Sequence, residues 1–206
     1  MRADDLDAIK SKLYSESEPF LSVHPDYDLS TLPSWVRENI EVARVYGNSK
    51  KGVILPDGRK YHLDNHLNDL TGREWTFFIN SVFSTHYPTS GKEAYAHHIR
   101  KIHPTPKPPQ LMRDLIQFFT KEGEIVFDTF MGVGGTLLGA ALCNRTAAGI
   151  DLNQEYIEAY HAAALELSLK DFTTECGDCI SVLKDKSKMN SLTSGKSISL
   201  LLFDPP

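Results

Sequence analysis

The chain has 206 residues, of which 41% are hydrophobic and 24% charged, and a formal net charge of −5. This is the composition of an ordinary globular protein, and it argues against a nucleic-acid binder built on one strongly basic face. No apolar run reaches the roughly 18 residues of a membrane-spanning helix, and the acidic start M-R-A-D-D-L-D-A-I-K lacks the apolar stretch of a signal peptide.

Composition changes near residue 104. The N-terminal segment, residues 1–103, is irregular, aromatic and rich in histidine, and reads as mixed α+β. Within it K-G-V-I-L-P-D-G-R-K-Y-H-L, Lys51 to Leu63, predicts a hairpin around Pro56-Asp57-Gly58. T-G-R-E-W-T-F-F-I-N-S-V-F, Thr71 to Phe83, predicts a helix with Thr71 as N-cap and Glu74 completing a capping box. Trp75, Phe78, Ile79 and Val82 then share one face, with Trp75 and Phe78 expected in the core. The prolines of H-P-T-P-K-P-P, His103 to Pro109, predict a stiff, extended connection.

Residues 104–206 are regular. A helix over Leu111 to Thr120 precedes a strand at E-I-V-F-D, Glu124 to Asp128; a glycine-led helix over Gly132 to Leu142 precedes a strand at Thr146 to Asp151. A long helix, Gln154 to Leu169, leads to a strand at F-T-T-E-C-G-D and a helical turn at Cys179 to Leu183. The last strand, I-S-L-L-L-F from Ile198 to Phe203, is apolar enough to be buried, and D-P-P ends it abruptly. Strands alternating with helices predict an α/β, Rossmann-like domain with a parallel sheet.

A carboxylate stands at the end of each predicted strand: Asp128, Asp151, Asp178 and Asp204. Open α/β sheets bind ligands at that edge. D-T-F-M-G-V-G-G-T, Asp128 to Thr136, supplies glycines for close backbone approach and a helix N-terminus. Asp151 ends the next strand, where a carboxylate can accept from ribose hydroxyls, which points to an adenosine-containing cofactor. The nicotinamide fingerprint G-x-G-x-x-G is not met, because Leu137 stands where the third glycine belongs. A P-loop is not met either, and Asp128 suits a cationic cofactor better than a pyrophosphate. S-adenosylmethionine, with an ammonium and a sulfonium, has that character.

At this point a resemblance becomes specific. D-T-F-M-G-V-G-G-T resembles the F-x-G-x-G loop of the amino-methyltransferases that act on DNA, and D-P-P resembles the start of their D/S/N-P-P-Y/F/W motif. H-P-T-P-K-P resembles the H-P-x-x-K-P segment of the N4-cytosine/N6-adenine enzymes, and L-T-G-R-E-W, Leu70 to Trp75, resembles a segment found upstream in some of them. The resemblance implies that Asp128, Phe130, Gly132 and Gly134 surround the methionine part of S-adenosylmethionine, and that Asp151 holds the ribose. It implies that Asp178 accepts from the adenine amine with Cys179 or Ile180 against the ring, and that Thr105 and Lys107 hold the carboxylate end. Asp204, Pro205 and Pro206 would form the catalytic corner, with Asp204 and the Pro205 carbonyl accepting from the amine of a base flipped out of DNA. Aspartate in the first position leans towards adenine N6. A restriction-modification setting follows from the same resemblance, with an RNA amine or a non-catalytic, cofactor-binding subunit as the alternatives.

In that family an aromatic residue follows D-P-P and further strands follow the one ending at Asp204. The methyltransferase domain is therefore expected to be incomplete at its C-terminus, inactive or nearly so alone, and completed by a missing C-terminal part or a second subunit. Cys176 and Cys179 have C-x-x-C spacing, but Cys143 is the only other cysteine, so a four-cysteine zinc site is ruled out and packing around Asp178 is expected. Three cysteines without a secretion signal fit a reducing cytoplasm. The histidines, His103 among them, form no metal motif and are expected to be surface or hydrogen-bonded. Arg100 and Lys101, beside Tyr95, are expected on a solvated helix face, with DNA phosphates as the sharper alternative.

Overall fold

The computed structural model describes residues 12–80, 82 and 85–205. The backbone packs as two compact units, Met1–Phe83 and Ser84–Pro206. Residues 84–103, grouped by composition with the first part of the chain, pack in the second unit, where Ala96 and Ile99 join the core.

The first unit is built on a four-stranded antiparallel sheet of β1 (Glu18–Pro19), β2 (Arg44–Tyr46), β3 (Gly52–Ile54) and β4 (Lys60–His62), paired in that order. Two one-turn helices, α1 (Phe20–Val23) and α2 (Ser34–Arg37), place Phe20 and Val36 against Val45, Val53 and Tyr61. The predicted hairpin is β3–β4. Gly58 takes φ +82° in its turn, and Asp57 Oδ1 accepts from the Arg59 amide at 2.9 Å. That left-handed backbone is open to glycine without a Cβ penalty.

Helix α3 (Gly72–Phe78) carries the expected capping box: Glu74 N–H donates to Thr71 Oγ1 at 3.3 Å, and Thr71 N–H donates to Glu74 Oε2 at 2.8 Å. It is shorter than the sequence predicts. Asn80 donates from both its backbone and its side chain to the Phe77 carbonyl, which closes the helix there. Ile79 and Val82 are consequently 66% and 82% exposed, and Trp75 and Phe78 are half-buried rather than core. Ser81 and Phe83, at the end of the predicted helix, lie outside the described residues.

The second unit begins with α4 (His97–Arg100) and α5 (Pro109–Phe119), whose first residue is a proline with no N–H to leave unpaired. There follow β5 (Ile125–Asp128), α6 (Gly135–Ala141), β6 (Thr146–Asp151), α7 (Gln154–Glu166), β7 (Thr173–Cys176), α8 (Cys179–Lys184), α9 (Lys186–Thr193) and β8 (Ile198–Leu201). The sheet is parallel, ordered β7-β6-β5-β8. Strand β5 is buried throughout, with Val126 in the core under α5, α6 and α7 and Phe127 in the opposite core with Val182 and Leu192. Helices thus cover both faces, which is why this strand reads as an unbroken apolar run. Helices α5 and α6 pack closely at Gly139, where a Cβ would stand 2.7 Å from Met112 Cβ and the Arg113 amide.

Two features depart from expectation. Helix α9 is not legible as an amphipathic pattern; Asp185 starts it by accepting from the Ser187 and Lys188 amides. Strand β8 is not buried: Ile198 is 38%, Leu201 51% and Phe203 51% exposed. Among the described residues it pairs with β5 alone, at the edge of the sheet, and its apolar residues are only partly covered. Among the described residues no helix is long and apolar enough to cross a membrane.

Candidate active site

The chain leaves β5 towards β6 and β7 on one side and returns to pair β8 on the other. Such a reversal of strand order opens a crevice at the carboxyl ends of the strands. A cleft of about 730 Å³ lies there, within the second unit. Thr105, Lys107, Asp128, Phe130, Gly132, Asp151, Asp178, Cys179, Asp204 and Pro205 all line it. Pro206 lies outside the described residues.

Gly134 does not line the cleft. It is the N-cap of α6 at φ +74°, and a Cβ there would fall 2.2 Å from the Tyr160 ring. Its neighbour Gly135 lines the cleft and lets the Lys107 carbonyl approach, since a Cβ at Gly135 would stand 2.6 Å from that oxygen.

Asp128 is 4% exposed at the end of β5. Its Oδ1 accepts from the Phe130 amide at 2.9 Å, and the Thr136 hydroxyl also donates to the carboxylate. Burial nonetheless pushes its pKa up to about 6, and the charges of Asp151 and Asp204 add to the rise. A buried carboxylate with only neutral donors around it lacks a counter-charge.

Asp151 is held by two amides: Gly132 N–H donates to Oδ2 at 2.7 Å and Asn153 N–H to Oδ1 at 2.9 Å. The cap of α7 is Asn153, which accepts from the Glu155 amide at 2.9 Å, so Asp151 keeps its remaining lone pairs for the cleft. Asp178 caps α8, its Oδ2 accepting from the Ser181 hydroxyl and amide, and these bonds hold the carboxyl below the usual range. Cys179 is half-buried, while Cys176 is exposed with its thiol towards the Leu152 carbonyl, so the pair does not form one packed unit around Asp178. Among the described residues Cys143, Cys176 and Cys179 are all free thiols.

At the rim, the Phe130 and Phe203 rings stand 6.4 Å apart. Lys107 Nζ pairs with Asp204 Oδ2 across the cleft. His103, assigned no role by the sequence, lines the same cleft: its Nδ1 accepts from the Thr105 amide at 3.1 Å and its ring packs edge-on against Tyr156. The first residue of H-P-T-P-K-P was the available signal.

Arg100 reverses its expectation. It is 1% exposed, donating from Nε to the Tyr95 carbonyl at 3.1 Å and from Nη1 to the Lys107 carbonyl at 2.9 Å. Burial brings its pKa down to about 10, so it remains a cation at neutral pH. Instead of facing solvent or DNA, it braces the backbone that carries Lys107.

Residues 17–162 match the family described as DNA methylase, of the N6/N4 methyltransferase type. The chain belongs to that family. The chain is 44% identical over 64 residues to the type II methyltransferase M.HpaI of Haemophilus parainfluenzae, a match covering 31% of this chain and 20% of that protein. It is 32% identical over 124 residues to the type II methyltransferase M2.DpnII of Streptococcus pneumoniae, covering 60% and 38%. It is also 27% identical over 103 residues to a tRNA (guanine(10)-N2)-dimethyltransferase of Pyrococcus abyssi, covering 50% and 29%. The chain thus spans well under half the length of these curated relatives.

Proposed function

We propose that this chain binds S-adenosylmethionine in the second unit and presents it to an exocyclic amine of DNA, adenine N6. The observation that carries the reading is the meeting of Asp128, Asp151, Asp178 and Asp204 in one cleft at the carboxyl ends of the strands. The group fits the residues present. Buried Asp128 lacks a counter-charge, and an ammonium supplies one. Asp151, already fixed by two amides, accepts from the ribose hydroxyls, and Asp178 from the adenine amine beside Cys179. Phe130 and Gly132 enclose the methionine part, while Gly134 shapes the turn from behind. Thr105 and Lys107 bind the carboxylate end.

When bound, S-adenosylmethionine supplies an electrophilic methyl group on a sulfonium. Asp204 and the Pro205 carbonyl accept hydrogen bonds from the target amine, which turns the nitrogen lone pair out of the ring and aims it into the cleft. The rate gain is one of positioning, with no covalent enzyme intermediate. Asp204 is 64% exposed, so its carboxylate is within reach of an incoming amine. The free thiols fit a reducing cytoplasm, where DNA is available.

The test is transfer of labelled methyl groups to duplex DNA, followed by digestion and identification of the modified base. N6-methyladenine is expected, and N4-methylcytosine overturns the choice of base. The match to the tRNA dimethyltransferase favours a second reading, an RNA amine; label entering tRNA but not DNA selects it.

A further inference from the structure

We propose that Lys107 is a switch between the two ends of the cleft, neutralising Asp204 until a carboxylate-bearing donor claims its ammonium. Only then is Asp204 free to accept from the target amine, so the donor binds before the base. The inference rests on the assignment of the cleft to S-adenosylmethionine and adds an order of events to it.

The geometry separates what is fixed from what moves. The Lys107 backbone cannot retreat: its carbonyl is held by Arg100 and lies against Gly135. Its side chain is free to swing, being 44% exposed on a flexible four-carbon stem. In the structure the ammonium sits on Asp204, the acid that must hold the target amine, and among the described residues neither side chain has another ion partner. One ammonium therefore faces two claimants, the Asp204 carboxylate and the donor's own carboxylate.

Charge makes the exchange favourable only when the donor arrives. Released from Lys107, Asp204 would add a bare negative charge to a cleft where Asp151 and Asp204 already oppose ionisation of Asp128. A donor carrying positive groups supplies the compensation as it removes the lysine. The pair is also easy to break, since an exposed pair shifts an equilibrium by only about two- to fivefold.

The test is calorimetric titration of the 206-residue chain at low salt with two ligands, S-adenosylhomocysteine, which keeps the amino-acid end, and 5′-methylthioadenosine, which lacks it. Asp204→Asn is expected to tighten S-adenosylhomocysteine about two- to fivefold and to leave methylthioadenosine unchanged. The gain disappears when Lys107→Met is already present, and it shrinks in high salt. Unchanged or weaker S-adenosylhomocysteine binding in Asp204→Asn, or equal tightening of both ligands, overturns the switch while the cleft assignment stands. Binding of neither ligand to the wild type overturns the cleft assignment and the switch with it. Asp204 is exposed, so the variant folds.

Discussion

The amide of Gly132 donates to Asp151 Oδ2 at 2.7 Å, tying the glycine turn after β5 to the end of β6. The carboxylate is oriented before any ligand arrives. Asp151→Ala leaves the Gly132 and Asn153 amides without their acceptor and is expected to cost about 1–2 kcal/mol of stability. Its larger effect is on S-adenosylmethionine, whose binding should fall at least about tenfold with the ribose contact, worth about 1.5–3 kcal/mol to a charged acceptor. Calorimetry and thermal melts on the same samples separate the two effects.

Asp128 is expected to make donor binding depend on pH. Its carboxyl takes up a proton near pH 6 in the folded chain, against the ordinary 3.8. Attraction for a cation needs the ionised form, so affinity for S-adenosylmethionine should rise with pH through about 6 and level off above it. Stability runs the opposite way: the folded state holds this proton more tightly than the unfolded chain, so the group's contribution falls as pH climbs from about 4 to about 6. Asp128→Asn should therefore be more stable at pH 7, by about 1–3 kcal/mol, yet bind the donor poorly. Melting curves and titrations at pH 5 and pH 7.5 check both signs.

Gly134→Ala should damage the fold more than the cleft lining. The backbone there is left-handed at φ +74°, and the new methyl meets the Tyr160 ring at 2.2 Å. Strain of about 1–2 kcal/mol from the dihedral adds to overpacking of about 1–3 kcal/mol. Tyr160 cannot yield freely, because its hydroxyl accepts from the Phe172 amide at 2.8 Å. A fall in melting temperature, unrelieved by saturating donor, is the expected result.

Arg100→Met should lower stability by about 2–4 kcal/mol, because the Tyr95 and Lys107 carbonyls lose their buried donor. Arg100→Lys should recover only part, since one ammonium cannot reproduce the guanidinium fork. Denaturant melts of the two variants give the comparison directly.

Much of this was written locally. The capping box needed only Thr71 and Glu74, and the hairpin only Pro56-Asp57-Gly58, because both depend on neighbours in sequence. Three of the strand-terminal carboxylates, Asp128, Asp151 and Asp204, were legible for the same reason: each follows an apolar run. What escaped depends on distant partners. Arg100 looks like a surface residue until the Lys107 carbonyl is placed beside it, and Gly134 looks like a ligand contact until Tyr160 packs behind it. The exposure of β8 is set by what lies next to it, and the stop of α3 at Phe78 goes with the backbone and side-chain bonds from Asn80 to the Phe77 carbonyl.

The pairing of β8 with β5 also sets a clock. The ribosome must deliver β6, β7 and all the intervening helices before Ile198 to Leu201 can find their partner. Contacts so distant along the chain form slowly. The β5–β6–β7 side of the cleft is therefore expected to assemble in a nascent polypeptide before the Asp204 side joins it.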